Sequence, residues 1–215
     1  MKNLLSLVLF AGLTSTTIAQ EIVEKLTICE AVQEDAHAYP VLTQDIENNL
    51  ENTATVNGYD MSAQKIQLTG TVYEADGVTP AKGVVLYIEQ ANEEGLYEII
   101  DNQGHNQVNQ SAMLKTDADG HYTFYTFVPG HTKEKLAYRR TKRAQHIHIL
   151  VKEPGKLEYE LPAFVFDSDR MVTKYYRKRL KKRGGNNLLI LEEKDGFQIA
   201  KKDIVLSKDT LLASK

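Results

Sequence analysis

Residues 66–90, IQLTGTVYEADGVTPAKGVVLYIEQ, decide the fold class because they hold two strand patterns separated by a turn. The first pattern alternates apolar and polar side chains with the period of two that a half-buried strand requires. Asp76, Gly77 and Pro80 supply turn chemistry, and residues 83–90 then return to β-branched and aromatic side chains. The stretch therefore predicts two β-strands joined by a turn.

Further strand patterns extend through the rest of the chain. Two lie in MLKTDADGHYTFYTFVPG at 113–130, where we expect a hairpin turn within TDADG, and the others are HIHILV at 146–151, ELPAFVFD at 160–167 and a strand pair in FQIAKKDIVLS at 197–207. Several short strands with regular turn signals are typical of an all-β sandwich. We therefore predict an all-β fold, an antiparallel β-sandwich.

The composition excludes several classes of protein. The chain has 215 residues, with 26 basic against 29 acidic side chains and a formal charge of −3, so nothing global indicates nucleic-acid binding. The single cysteine, Cys29, excludes an internal disulfide and a cysteine-rich zinc module. A mean hydropathy of −0.38 and 26% charged residues exclude a multi-span membrane protein.

The first 19 residues have the pattern of a signal peptide. Lys2 precedes the apolar run LLSLVLFAG at 4–12, and Thr17 and Ala19 are small residues at the positions that a signal peptidase reads. We expect cleavage after Ala19 and export to the periplasm or to the outside of the cell.

An acidic segment follows the expected cleavage site. Residues 20–60 contain nine acids and one lysine, a net charge of −8, with few aromatic residues and poor periodicity. These features indicate an acidic N-terminal arm over residues 20–65, followed by the β-sandwich domain over residues 66–215. The basic run KYYRKRLKKRGG at 174–185 is interpreted as a solvated helical turn or loop, with a polyanion-binding patch as the alternative.

His146 and His148 are the strongest local signal of a chemical site. Because side chains alternate along a strand, both imidazoles are expected on one face, while Ile147 and Ile149 point to the other. Two imidazoles on one strand face form half of a first-row metal site, although surface or hydrogen-bonded histidines give the same pattern. The sequence contains no His-Glu-x-x-His, Gly-x-Ser-x-Gly or Walker motif, so those catalytic sites are not supported.

The order of several motifs carries a family resemblance. The segments are LTGTVYEADGVTPAKGVVLYIEQANEEGLY at 68–97, TDADGHYTFYTFVPG at 116–130 and RAQHIHILV at 143–151. Together they resemble the intradiol ring-cleavage dioxygenases, the family of protocatechuate and catechol dioxygenases. The resemblance covers roughly residues 66–205 and implies a β-sandwich of the intradiol dioxygenase core type.

The resemblance also implies a metal, a substrate class and four site residues. Tyr97 matches a tyrosinate ligand of non-haem Fe(III), and His146 and His148 match the two histidine ligands. Arg143 matches the arginine that stabilises negative charge on the substrate ring. The implied partners are a small aromatic diol and O2, with iron acting as a Lewis acid. Nucleic acid and a membrane span are not expected, and the sequence does not indicate an oligomeric state.

Three positions depart from the family pattern. Thr132 occupies the position of the second tyrosinate, Glu89 stands where the family has a tryptophan, and Ala163 stands where the family has a glutamine on the strand after the His-x-His strand. Tyr138 is therefore our candidate for the fourth iron ligand or the catalytic base, with His131 as a weaker substitute. These departures leave open a non-catalytic β-sandwich binding module that has lost part of the iron site. A site loaded with zinc or copper instead of iron is a third possibility.

Overall fold

The computed structural model describes residue 47 and residues 49–102, 104–136, 139–182 and 185–207. The expected signal peptide and residues 20–46 of the expected acidic arm lie outside these described residues, so both remain predictions. No helix in the described part of the chain is long and apolar enough to cross a membrane.

Two sheets face each other and form a β-sandwich. The strands of the first sheet are, in spatial order, β1 (Thr53–Thr55), β7 (His121–Phe127), β2 (Lys65–Tyr73), β14 (Phe197–Lys201) and β13 (Leu191–Lys194), with β15 (Ile204–Val205) also paired to β2. The strands of the second sheet are β12 (Leu188–Leu189), β11 (Tyr159–Phe166), β10 (His146–Lys152), β3 (Val85–Gln90) and β6 (Ser111–Lys115). Two separate hairpins complete the strands: β4 (Ile99–Asn102) with β5 (His105–Val108), and β8 (Lys133–Leu136) with β9 (Arg139–Lys142).

The core lies between the two sheets and follows from the alternation in the sequence. On β2, Ile66, Leu68 and Val72 are buried, and they pack with β7 residues such as Phe124 into one apolar cluster. Burial of such side chains contributes about 1.5–3 kcal/mol each. Gly70 is required on β2 because a Cβ there would lie 2.0 Å from the carbonyl oxygen of Lys202.

The central strand of the second sheet determines where the site can be. Ile147, Ile149 and Val151 of β10 belong to the core cluster. Side chains alternate along a strand, so His146 and His148 point to the opposite face of the sheet. This face lies over β10 and its two neighbours, β3 and β11.

The predicted β-sandwich is confirmed, but the sheets are mixed, not purely antiparallel. The pairs β1–β7, β14–β2, β15–β2 and β11–β12 are parallel, and the other pairs are antiparallel. The expected hairpin within TDADG is wrong: β6 and β7 belong to different sheets, so this turn carries the chain from one sheet to the other. The last strands, β14 and β15, each pair with β2 and not with each other.

Two segments outside the core, the predicted acidic arm and the basic run, can also be compared with the expectations from the sequence. The described part of the predicted acidic arm contributes β1, which runs parallel to β7 at the edge of the first sheet, and a short 3-10 helix at Tyr59–Met61. The basic run forms a helix, α1 (Lys174–Lys182), with no buried residue. This agrees with the interpretation of a solvated helical segment.

Candidate metal centre

Three side chains that the sequence singled out converge on one point. His146 Nε2 lies 3.1 Å from His148 Nε2, and Tyr97 Oη lies 3.4 Å from His146 Nε2. The two imidazole rings meet nearly edge to face, with centroids 4.8 Å apart. Donor atoms around a first-row metal at about 2.0–2.2 Å are themselves about 3 Å apart, which is the spacing found here. These three side chains could therefore share one metal ion as donors.

The hydrogen bonds of the two histidines direct their lone pairs to the same point. His146 Nδ1 lies 2.7 Å from the carbonyl oxygen of Ala144, and His148 Nδ1 lies 3.0 Å from Glu160 Oε1. Both partners are acceptors, so each Nδ1 carries the proton and donates it, and each Nε2 presents a lone pair. Two lone pairs that face each other at 3.1 Å form an unfavourable pair unless a proton or a cation lies between them. This arrangement fits a bound metal ion.

The third donor of the site is a phenol, not a carboxylate or a thiol. No cluster of three or more His, Cys, Asp or Glu side chains close enough to hold a metal is present among the described residues. Two imidazoles and one phenol oxygen form a mixed nitrogen and oxygen donor set. A phenolate oxygen is a hard donor, and hard donors suit a highly charged ion such as Fe(III).

Tyr97 lies in the loop between β3 and β4, and Asn92 shapes the turn before it. Asn92 Oδ1 accepts hydrogen bonds from the main-chain N–H groups of Glu94 at 3.1 Å and Leu96 at 2.9 Å. Gly95 completes the turn with a φ of +82°, a left-handed conformation that glycine adopts without a steric cost from Cβ. The backbone is thus fixed two residues before Tyr97.

The carboxylate of Glu98 fixes the loop on the other side of Tyr97. It accepts hydrogen bonds from the side-chain amides of Asn92 at 2.9 Å, Asn109 at 3.0 Å and Gln110 at 2.9 Å. These bonds, that from Asn109 above all, lower the pKa of the Glu98 carboxyl and keep it ionised at neutral pH. Tyr97 therefore lies between two anchored residues, and its position is set by the loop.

Without a metal, the Tyr97 phenol is neutral. Burial is the main cause that raises its pKa, and the negative charges of Glu89 and Glu160 raise it further. Arg143 acts in the opposite direction and lowers the pKa of Tyr97, so its guanidinium lies within electrostatic range of the phenol although the residue is exposed. A cation beside the oxygen reverses this balance because it stabilises the phenolate directly.

The candidates for a fourth ligand are Tyr138 and His131, since Thr132 occupies the family position. Tyr138 lies outside the described residues, so its role stays a prediction. His131 Nε2 lies 3.1 Å from Asp169 Oδ2, which places this nitrogen on a carboxylate of the 167–173 turn. Thr132 is buried, and its hydroxyl has no hydrogen-bond partner among the described residues. The position of the second family tyrosinate thus holds a neutral hydroxyl.

Asp169 holds the segment that leads into β10. Its carboxylate accepts hydrogen bonds from the main-chain N–H groups of Gln145 and Met171, each at 2.7 Å. Although burial acts to raise the pKa of Asp169, these bonds and the neighbouring His131 outweigh it and lower the pKa. Asp169 is therefore a positioning residue for the backbone immediately before His146.

Sequence reasoning missed the role of two glutamates at the site. Glu160 accepts the proton of His148 Nδ1, and Glu89 is a buried carboxylate directly opposite His148 in the β3–β10 pair. The alternation of side chains on β11 could have indicated Glu160 once its pairing with β10 was known. In the sequence, Glu89 is distinguished only as the residue that replaces the family's tryptophan.

Comparisons with known proteins agree with the fold. A family model described as "Dioxygenase" matches residues 18–193. This match covers most of the chain, and the chain belongs to the intradiol dioxygenase family. No curated protein matches the chain in sequence.

Solved structures of similar fold include several catechol dioxygenases. Catechol 1,2-dioxygenase from Acinetobacter sp. ADP1, inhibited by bound mercury, is 20% identical with a TM-score of 0.55 over 73% of this chain and 57% of that one. The dioxygenase domain of a dioxygenase–carbohydrate-binding fusion from Streptomyces sp. SirexAA-E is 18% identical with a TM-score of 0.52 over 81% of this chain and 97% of that domain. Chlorocatechol 1,2-dioxygenase from Pseudomonas putida is 18% identical with a TM-score of 0.53 over 96% and 91%. The chain thus spans little more than half the length of the Acinetobacter enzyme and nearly all of the other two.

Proposed function

We propose that the protein is an exported, mononuclear non-haem Fe(III) dioxygenase of the intradiol type that cleaves a catechol-like aromatic ring with O2. The observation that carries the proposal is the close approach of three donor atoms. His146 Nε2 lies 3.1 Å from His148 Nε2 and 3.4 Å from Tyr97 Oη. The family membership of the chain supports the reaction class.

In this proposal Tyr97, His146 and His148 hold the iron, which when bound supplies Lewis acidity that favours the ionised diol. Glu160 keeps the His148 proton on Nδ1, so that Nε2 remains a ligand. Arg143 provides a positive charge beside Tyr97, where it can stabilise negative charge on the bound diol. Tyr138 is proposed as the fourth ligand or the group that takes up a diol proton.

Iron loading and oxygen uptake test the proposal together. The purified protein, reconstituted with Fe(III), should show a broad visible absorption from the phenolate–iron pair and consume O2 with catechol or protocatechuate to give a ring-opened dicarboxylate. The Tyr97→Phe variant should lose the visible band, whereas Tyr175→Phe on the exposed face of α1 should retain it. A protein that remains colourless after ferric loading would refute the iron site.

The neutral hydroxyl at Thr132 favours one alternative, a binding module that keeps a metal or ligand site without catalysis. That function would give the phenolate–iron band with no O2 consumption for any catechol in the panel. Elemental analysis of the protein as isolated separates iron from zinc or copper in the same donor set.

Export is the part of the proposal that depends on the N-terminal sequence. The apolar run at 4–12 and the small residues Thr17 and Ala19 support removal of the first 19 residues. N-terminal sequencing of protein recovered from the periplasm or the medium should begin at Gln20. Protein that retains Met1 and stays in the cytoplasm would contradict export without affecting the iron site.

A further inference from the structure

Helix α1 carries a dense cluster of positive charge. Its nine residues hold six basic and no acidic side chains, a formal charge of +6, whereas the whole chain has a formal charge of −3. None of its residues is buried, so the charge lies at the surface. A basic cluster on one surface element is the electrostatic signature of a site for an anionic partner.

Burial on α1 separates one structural cation from five solvent-facing ones. Arg177 is half-buried, and its guanidinium donates to Asp167 Oδ1 at 2.7 Å and to the carbonyl oxygen of Asp167 at 2.8 Å. The other five cations are exposed: Lys174, Lys178, Arg179, Lys181 and Lys182. The ion pairs of the described residues include Arg177 but none of these five.

The five exposed cations form one continuous face of the helix. At about 100° per residue they fall within an arc of about 160°, which they share with the ring of Tyr175, itself 75% exposed. The half-buried residues Tyr176 and Leu180 lie on the other side of the helix. Lys174 and Lys182 are eight residues apart, so the face is about 12 Å long. An elongated face of this kind fits a linear partner that carries several anions.

The stability of the helix does not account for the whole face. Cations in the last turn interact favourably with the carboxyl end of a helix, which accounts for Arg179, Lys181 and Lys182. Lys174 lies in the first turn, where a cation is unfavourable, and that turn contains no acidic residue. Lys178 is four residues from both Lys174 and Lys182, and like charges at this spacing repel each other. A bound polyanion would neutralise this repulsion.

The helix holds these cations in fixed positions. At its start, Thr173 Oγ1 accepts a hydrogen bond from the main-chain N–H of Tyr176 at 3.2 Å. The two bonds of Arg177 attach the helix to the 167–173 turn. Because the backbone is already ordered, a partner that binds here loses little affinity to backbone ordering.

We propose that the exposed face of α1 binds an anionic polysaccharide, whose anionic groups pair with the five cations while a sugar ring stacks on Tyr175. Binding at α1 does not depend on the iron site, but the choice of a polysaccharide rests on the proposed export, since an exported protein meets glycans and not nucleic acid. A membrane surface fits this face less well, because the face has one aromatic and no aliphatic residue to insert among the lipids.

Heparin, a sulfated polysaccharide, is the probe, and its affinity for the full chain is measured at several salt concentrations. Counterion release lowers log K by about 0.7–0.9 per neutralised charge and per unit of log salt for nucleic acids, so about three to five contacts should give a slope of about −2 to −4. Dextran, an uncharged polysaccharide, should not bind. A slope near zero, or no heparin binding at low salt, would overturn the proposal.

Two matched double variants test whether the binding lies on α1. Lys178→Gln with Lys182→Gln removes two adjacent charges, and glutamine is a good helix former. Lys194→Gln with Lys201→Gln makes the same change in net charge at exposed lysines of β13 and β14. We expect the first pair to weaken heparin binding about 10- to 30-fold and to reduce the salt slope by about 1.5, whereas the second pair should bind normally. Equal losses in both double variants would overturn the role of α1.

Further ligands identify the chemistry of the partner. Tyr175→Ala should weaken heparin binding without a change in the salt slope, because stacking releases no counterions, and an unchanged affinity would overturn the stacking contact. Tighter binding to duplex DNA or to anionic lipid vesicles than to heparin, at equal concentration of charge, would overturn the assignment to a polysaccharide. Ferric titration and O2 uptake on the same preparation report on the iron site separately, so a failure of either proposal is distinguishable from a failure of the other.

Discussion

Gly95→Ala should damage the proposed metal centre more than a matched glycine substitution elsewhere, because Gly95 lies close to the main chain of His131. A Cβ on Gly95 would lie 2.2 Å from the carbonyl oxygen of His131, whereas a Cβ on Gly104 would meet nothing within 4 Å. The two glycines have nearly the same φ, +82° and +83°, so the left-handed strain of about 1–2 kcal/mol is common to both. Gly104→Ala therefore measures the cost of the left-handed backbone alone, without a contact from Cβ.

The additional cost of Gly95→Ala comes from overpacking, which adds about 1–3 kcal/mol to the shared strain. To relieve the contact, the turn must move by about 1 Å relative to His131, and this moves Tyr97, two residues further on. A misplacement of that size at a reacting centre can lower the rate about 100-fold. We therefore expect an unfolding free energy lowered by about 2–5 kcal/mol and a weakened phenolate–iron band.

Urea unfolding of the metal-free proteins and ferric titration followed in the visible region measure the two effects. Gly104→Ala should lose only about 1–2 kcal/mol and bind iron like the unmodified protein. Equal losses of stability in the two variants, with identical ferric titrations, would show that the contact between Gly95 and His131 does not position Tyr97.

Three further substitutions test other parts of the site and its support. Gln90 is fully buried, and its side-chain amide donates to the main-chain carbonyl of Phe127 at 3.0 Å and accepts from Thr126 Oγ1 at 2.7 Å. Gln90→Leu should therefore lower the unfolding free energy by about 2–5 kcal/mol, because it leaves these two groups without their partner. The double variant with Thr126→Val should recover part of this loss. Glu160→Gln removes the charge that accepts the His148 proton and should weaken ferric binding about tenfold with little change in melting temperature; an unaltered titration would contradict this role. Because the pKa of Asp169 is lowered from its ordinary value of 3.8, its ionised form stabilises the protein above that pH, and the benefit is lost as the pH falls through the lowered value. Asp169→Asn should therefore destabilise the protein at pH 7 in urea unfolding, and the difference should shrink in strong acid.

The part of the site that lies on one strand could be predicted from the sequence. His146 and His148 share a face of β10 because alternation is a local property of any strand, and Ile147 and Ile149 determine which face meets the core between the sheets. The sandwich followed from the same period of two. The strand partners did not, because pairing depends on contacts between distant segments, and for this reason the TDADG turn was assigned to a hairpin when it joins two sheets.

The other residues of the site depend on the tertiary fold. Tyr97 comes from a loop, and its place beside His146 requires the Asn92 turn and the anchoring of Glu98, so only the family motif indicated it. Glu89 and Glu160 became visible only when β3 and β11 were paired with β10. The fourth position cannot be inferred from the Pro-Gly turn alone, since the residue that follows it by two is a threonine.

The outer face of β10 carries polar groups that the core of a sandwich does not require. Apolar residues could occupy this face as well, as Leu150 does, whose side chain is also buried. Instead this face carries two imidazoles whose Nε2 atoms face each other at 3.1 Å, a phenol with a raised pKa and a buried carboxylate. Buried polar groups of this kind require compensating hydrogen bonds or charges, and a cation at their common point would supply such a charge. The same donor set supports the proposed metal site, and the ferric titration together with the O2-uptake assay decides between a catalytic centre and a binding module.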